Sequence, residues 1–213
     1  MSTVLAFVSA YVIGSIPFGF LFARAVGVDL LNCGSGNIGT TNAFRCAGPV
    51  VGVLTLVADI LKGLIGTVML APLVASPWAL YTVGLLIIVG HTKSLFLRFR
   101  GGKAIATSFG VLLYLNPWAI LLTALVFFIV VAWTRTVSIG SITASAVYPL
   151  LTPLFRHDPL FILISYAIGA YAIWLHRSNI RRLLIGEEPK LSFGSPREMD
   201  RGRVTPMRGR RLK

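Results

Sequence analysis

Seven apolar stretches run along the chain, at residues 4–23, 50–71, 78–97, 104–115, 118–133, 139–154 and 160–175, and short polar connections separate them. Pro72 and Pro77 close the second, and the Asn116-Pro117 pair ends the fourth. A full bilayer crossing takes ~20 residues as a helix; several stretches fall short of it, and the fourth, sixth and seventh are the weakest. Helices of that length tilt, thin the bilayer locally or break around a polar site. The pattern predicts an all-α, polytopic membrane protein of seven transmembrane helices, some short or broken. A five-span arrangement, with two stretches re-entrant, is the alternative.

The basic residues give this arrangement a direction. With the N-terminus outside, the inner connections hold Arg24 and Arg45, then Arg98, Arg100 and Lys103, then Arg135, then everything from Arg177 onward. The outer connections hold only Arg156, beside Asp158. Lys and Arg concentrate in cytoplasmic loops, so the C-terminus is predicted inside and the number of crossings odd. Trp78, Trp118, Trp133 and Trp174 fall at the ends of stretches, where interfacial aromatic belts sit.

Composition narrows the class further. Charged residues make up 13% of the 213 positions and hydrophobic ones 55%, with a mean hydropathy of +0.80. A chain this short has no means of hiding so many apolar helices from water. The net charge of +13 would suit nucleic acid, but the basic residues punctuate apolar segments and do not form one basic face, so no nucleic-acid partner is predicted. The first stretch lacks a basic leader and a small-residue cleavage site, and reads as a retained span. Residues 1–190 are expected to form a single helical domain, and residues 191–213, basic and poor in apolar residues, a disordered cytoplasmic tail. Cys33 and Cys46 match neither a CxxC nor a zinc spacing; free thiols are expected if their loop is cytoplasmic, with a disulfide as the other outcome.

The inner connections carry the chemistry. The first contains GSGNIGTTN at 34–42, with Arg45 about a turn later. Glycines let a backbone curve with its N–H groups exposed, hydroxyls and amides add donors, and a guanidinium adds a bidentate charge, which together suit a phosphate. The same residue types also make ordinary flexible loops, and no Walker A spacing is present. The second connection ends in Gly101-Gly102-Lys103, before the fourth stretch. A lysine in the first turn of a helix opposes the dipole unless an anion sits there with it. His91, at the start of this connection, suits a satisfied interfacial histidine. The third places Ser138, Ser141 and Ser145 at the entry of the sixth stretch. The fourth, HRSNIRRLLIGEEPK at 176–190, puts His176 and Asn179 on one side of a continued helix, where one can exchange or hold a proton and the other can orient a hydroxyl. Arg177, Arg181 and Arg182 then point away, towards lipid headgroups, while Glu188 and Lys190 can fold back. Asp59 and Lys62 lie inside the second stretch at i and i+3, a spacing that predicts an internal ion pair. Carboxylates near these connections are too few for a metal-dependent hydrolase.

In order along the chain, GSGNIGTTNAFR (34–45), DILKG (59–63), GHTKSLFLRFRGGKAIAT (90–107), RTVSIGS (135–141) and HRSNIRRLLIGEEPK (176–190) resemble the bacterial acyl-phosphate:glycerol-3-phosphate acyltransferase family. The resemblance implies a multi-pass enzyme of phospholipid biosynthesis in the bacterial inner membrane, its active site facing the cytoplasm. The activity implied is transfer of a fatty acyl group from acyl phosphate to the 1-hydroxyl of glycerol 3-phosphate, giving lysophosphatidic acid and inorganic phosphate. By the family pattern, Ser35, Arg45, Lys103 and Ser141 hold phosphate. Asn37 and Asn42 shape the phosphate loop, and His176 and Asn179 engage the glycerol part near the transfer, with Lys103 beside them. Neither cofactor, metal nor protein partner is implied, and the chain is expected to act as a monomer among membrane lipids. Ala104 departs from the family's usual GGKG, and its methyl is expected to be tolerated on a helix. The HxxxxD signature of other glycerol-phosphate acyltransferases is missing. The contrasting reading is a transporter or scaffold that binds lipid phosphate or another small phosphorylated ligand.

Overall fold

A computed structural model describes residues 2–191, so the expected tail falls outside the described residues apart from Leu191. The described residues form ten α-helices: α1 (Ser2–Ser15), α2 (Phe18–Ala25), α3 (Thr40–Ala47), α4 (Pro49–Leu70), α5 (Pro77–Thr92), α6 (Ile105–Leu115), α7 (Pro117–Thr134), α8 (Val137–Phe155), α9 (Pro159–Leu175) and α10 (Arg177–Leu184). Prolines place many of the boundaries. Pro49, Pro77, Pro117 and Pro159 each occupy the start of a helix, where the missing N–H costs nothing. Pro17 breaks the first apolar stretch into α1 and α2.

Each of the seven apolar stretches is helical, but their lengths differ in consequence. Among the described residues four helical segments are long and apolar enough to cross a membrane: Ser2–Ala25, Pro49–Leu73, Pro117–Thr134 and Val137–Phe155. Pro159–Leu175 qualifies only together with Arg177–Leu184, from which it bends by 54°. Pro77–Thr92 and Ile105–Leu115 are shorter. Large apolar side chains such as Leu125, Phe128, Ile129 and Leu163 stand exposed on the outer faces, and all four tryptophans are exposed at helix ends. Such a surface needs lipid, not water.

Helix α4 runs through the centre, packed on α1, α2, α3, α5 and α6, while α7, α8 and α9 pack in sequence beside them. Its contact with α6 is backbone on backbone. A Cβ on Gly110 would overlap the Ile60 carbonyl oxygen, and one on Gly63 the Thr107 carbonyl oxygen. Hydroxyls inside the bundle are silenced by the helices themselves: Thr55, Thr67, Thr123 and Thr152 each donate to the carbonyl four residues back, at 2.7–3.0 Å. At the end remote from the basic connections, Tyr81 donates to Asp158 at 2.6 Å and Arg156 lies over the rings of Tyr81 and Phe161. Arg156 is therefore held in a structural clamp.

Candidate functional site

The loop between α2 and α3 is shaped by asparagines. Gly34 and Gly36 adopt φ of 58° and 68°, folding the loop back over α3. Asn42, buried in the first turn of α3, donates from Nδ2 to the carbonyls of Asn37, Cys33 and Leu30 at 2.8, 3.0 and 3.3 Å. Its Oδ1 accepts the Ser35 N–H at 2.9 Å, and Asn37 Oδ1 accepts the Gly39 N–H at 2.8 Å. The Asn42 amide is thus spent inside the loop at both ends and that of Asn37 through its oxygen, while Ser35 and Arg45 are exposed. The same folding brings Cys33 onto α3, where it is bonded to Cys46 with Cα atoms 6.2 Å apart. This corrects the expectation of free thiols. The loop path set by Gly34 and Gly36 decides the pairing, and a separation of 13 residues carries no sign of it.

The second connection folds on His91. The Gly102 N–H donates to the His91 carbonyl at 3.1 Å, and Ser94 pairs with Arg100 in an antiparallel bridge. A Cβ on Gly101 would overlap the His91 carbonyl, and one on Gly102 would overlap its ring. The two glycines therefore serve close packing. Lys103 lies just before α6 and not in its first turn. Ala104 is the N-cap with φ 58°, so its methyl is not on a helix but in the left-handed region where glycine is favoured. The Lys103 ammonium donates to Asn179 Oδ1. Burial, with Arg182 and Arg45 nearby, brings its pKa down to about 8 against the opposing pull of Glu188.

His176 stands at the 54° bend between α9 and α10, so the seventh helix does not continue straight. Its Nδ1 lies 2.8 Å from the Ala172 carbonyl, which can only accept. Nδ1 therefore carries the proton and Nε2 the lone pair. Burial and Lys103 press its pKa down to about 4, although the Ala172 bond and Glu188 oppose this. Asn179 is buried one turn along, giving its amide to Glu188 Oε1 at 2.6 Å while accepting from Lys103. Arg182 Nε donates to Glu188 Oε2 at 2.7 Å. The expectation that Arg182 points to lipid is thereby corrected: it lies at i+3 from Asn179 and shares its face, a spacing visible in the sequence.

Glu188 reaches this cluster because the chain reverses at Gly186, φ 73°, and Leu191 N–H ties the returning segment to the Arg135 carbonyl at 2.6 Å. Burial opposes the Glu188 charge, but hydrogen bonds from Asn179 and Arg182, with Ser138 close by, hold its carboxyl below the usual range. Ser141, one turn further into α8, is buried and donates to the Val137 carbonyl at 3.0 Å. No hydrogen bond among the described residues joins Ser35 or Ser141 to the Lys103 network. Arg45 spans the gap from the loop: its stem passes Gly34, and its guanidinium feels Glu188 and Arg182.

The outcome is three cations, Arg45, Lys103 and Arg182, around one carboxylate, Glu188, with a neutral imidazole alongside. An excess of positive charge in a partly buried setting suits an anionic ligand. A shallow, mostly apolar trough lies between α8 and α10, the helix that carries Asn179 and Arg182, and is lined by Ile139, Ile142, Thr143, Ile180, Leu183 and Leu184. Among the described residues no three His, Cys, Asp or Glu side chains gather as metal ligands.

The chain matches the family model of glycerol-3-phosphate acyltransferase over residues 4–186. It is 43% identical over 188 residues to a glycerol-3-phosphate acyltransferase of Geotalea daltonii, covering 88% of this chain and 96% of that one. It is 45% identical over 180 residues to one of Geobacter sulfurreducens, covering 84% and 92%. Its fold is similar to a crystal structure of PlsY (YgiH), an integral membrane glycerol 3-phosphate acyltransferase in its glycerol 3-phosphate form. The TM-score is 0.85 at 37% identity, covering 90% of this chain and 96% of that one. The lysophosphatidic acid form of that protein gives a TM-score of 0.82 at 35% identity, with the same coverage.

Proposed function

The chain belongs to the glycerol-3-phosphate acyltransferase family, and from that premise we propose that it draws its acyl group from an acyl phosphate and releases lysophosphatidic acid and inorganic phosphate. The observation that carries this reading is the cluster of Arg45, Lys103 and Arg182 around Glu188, together with the mostly apolar trough between α8 and α10. Such a site suits two phosphorylated substrates of which one has a fatty tail. Arg45 and Lys103 clamp phosphate, with the hydroxyls of Ser35 and Ser141 as further donors. Asn37 and Asn42 keep the loop in shape. Asn179 and the Nε2 lone pair of His176 face the glycerol hydroxyl, and the acyl chain lies along α8 and α10.

The chemistry then needs little more than positioning. The 1-hydroxyl oxygen of glycerol 3-phosphate bonds to the acyl carbon, the acyl carbon to phosphate oxygen bond breaks, and the hydroxyl proton passes to the departing phosphate. Acyl phosphate is already activated, so neither an acyl-enzyme nor a cofactor enters. We propose that the chain acts as a monomer.

We place the cluster at the cytoplasmic face of a bacterial inner membrane, with seven crossings, the N-terminus outside and the C-terminus inside. The uneven distribution of Lys and Arg supports this placement. Reporter fusions at the two chain ends test the topology. Both ends reporting the same side would overturn the odd number of crossings.

The donor is tested by offering the purified protein glycerol 3-phosphate with acyl phosphate, acyl-CoA or acyl-carrier protein in turn, while following inorganic phosphate and the lipid product. Acyl phosphate alone is expected to support turnover, with phosphate and lysophosphatidic acid released one for one. Comparable rates from acyl-CoA would sink the donor assignment.

A further inference from the structure

Three ionisable side chains lie inside the helix bundle and take no part in the chemistry above. Asp59 and Lys62 on α4 and His91 on α5 are exposed by only 2%, 6% and 4%. The Lys62 ammonium is 2.8 Å from Asp59 Oδ1, the ion pair predicted from their spacing, and donates to the Ile16 carbonyl at 2.8 Å. Ile16 precedes Pro17 at the break between α1 and α2. His91 Nδ1 lies 3.6 Å from the same Asp59 oxygen and 3.1 Å from Thr107 Oγ1 on α6. A fold that needed only packing here could use apolar side chains of similar volume, often with no loss of stability.

What distinguishes His91 is how it brackets Lys103. Its carbonyl accepts the Gly102 N–H on one side of the lysine, its ring lies against the Gly102 Cα, and its Nδ1 engages Thr107 on the other side. Residues 102–107, which include Lys103, are thus held to His91 at both ends, and His91 packs on Asp59, its Nδ1 3.6 Å from the oxygen that pairs with Lys62 beside the α1–α2 break. We propose that Asp59, Lys62 and His91 are positioning residues that fix the turn at 101–104 and so set where the Lys103 ammonium is delivered.

Two variants test this without unpairing a buried charge. Thr107→Val removes the bond to His91 with a near-isostere. Asp59→Leu combined with Lys62→Met removes both charges together and changes the surface His91 packs on. The direct readout is the pH dependence of Lys103 reductive methylation in the purified full chain, followed by mass spectrometry, with thermal unfolding as the control for folding. Lys103 in the wild type is expected to titrate at about 8. When the turn loosens and the amine meets water, its titration should move up by a unit or more in both variants, while unfolding temperatures stay close to wild type. The groups that set its electrostatics, Arg45 from α3, Arg182 from α10 and Glu188 from the returning segment, are untouched, and neither Asp59 nor Lys62 contributes to them. A shift therefore reports displacement and not a lost charge.

A second readout is acyl transfer, where kcat/KM should fall about ten- to a hundredfold, as misplacing a contact group by about 1 Å does. This arm rests on Lys103 being the phosphate clamp; the titration arm does not. If Lys103→Ala keeps full activity, the clamp reading fails and the titration still decides the triad. If Lys103 titrates at about 8 in the folded variants as in wild type, the triad does not position it and the proposal is wrong. Should the double variant not fold, Thr107→Val alone decides between these outcomes.

Discussion

Lys103→Ala should lower kcat/KM by about a hundred- to a thousandfold, roughly 3–4 kcal/mol of transition-state stabilisation. The ammonium is largely buried, so its interaction with a phosphate is weakly screened. Its neighbours Arg45 and Arg182 compensate poorly, because Arg182 is committed to Glu188. Removing it also strips Asn179 of its donor. The pH dependence has a definite sign. Only the protonated amine clamps an anion, and the free site holds the Lys103 pKa at about 8. Activity at low substrate should therefore fall as pH rises through that value. Lys103→Arg, which does not deprotonate in this range, should abolish the limb even if it lowers the rate. A limb that persists in Lys103→Arg would assign it to another group. Arg45→Ala should cost less, about 30- to 100-fold, since its guanidinium is the more exposed of the two clamps, and Arg45→Lys should recover only part of that because the planar fork is lost. Steady-state kinetics on protein shown to be folded would measure all four variants.

The sequence made the elements of this site legible but not the turns that join them. Apolar stretches map onto helices because lipid leaves the backbone no other way to pair its polar groups. Asp59 and Lys62 were predictable partners because a helix brings i and i+3 together. That Glu188 could fold back was visible in the sequence, and the reversal at Gly186 realises it. Arg182 escapes such a reading although its i+3 relation to Asn179 is equally plain. Its direction depends on the bend at His176, which a straight continuation of the seventh helix conceals. Ala104 is a similar case. A residue expected on a helix turns out to be a left-handed N-cap, just after Gly101 and Gly102 seat on His91. The Cys33–Cys46 bond follows from loop closure by Asn42 and two glycines, a tertiary outcome that two isolated cysteines do not announce.

The geometry at His176 leads to the second large effect. Because Nδ1 donates to the Ala172 carbonyl, the face available to substrate is Nε2, as an acceptor. With its pKa near 4 the ring is neutral throughout the physiological range, well placed to receive a hydroxyl hydrogen bond and too weakly basic to be a strong proton acceptor. His176→Ala should then lose about a hundredfold or more in kcat. The informative replacement is Gln, whose amide oxygen reaches the place of Nε2; Asn corresponds instead to Nδ1, the atom already spent on Ala172. His176→Gln should retain a measurable part of the activity, and more than His176→Asn. The acid side of the pH–rate profile separates positioning from general-base catalysis. A substrate phosphate titrates at roughly 6 and will impose its own limb on wild type and His176→Gln alike. An obligatory imidazole base would add a further fall as pH drops towards its own pKa of about 4, and Gln, which does not titrate, would be nearly dead. Superimposable acid limbs in wild type and an active His176→Gln are the expected result. An extra wild-type limb that vanishes in His176→Gln together with turnover would make His176 the base, and the proton could no longer be assigned to the departing phosphate.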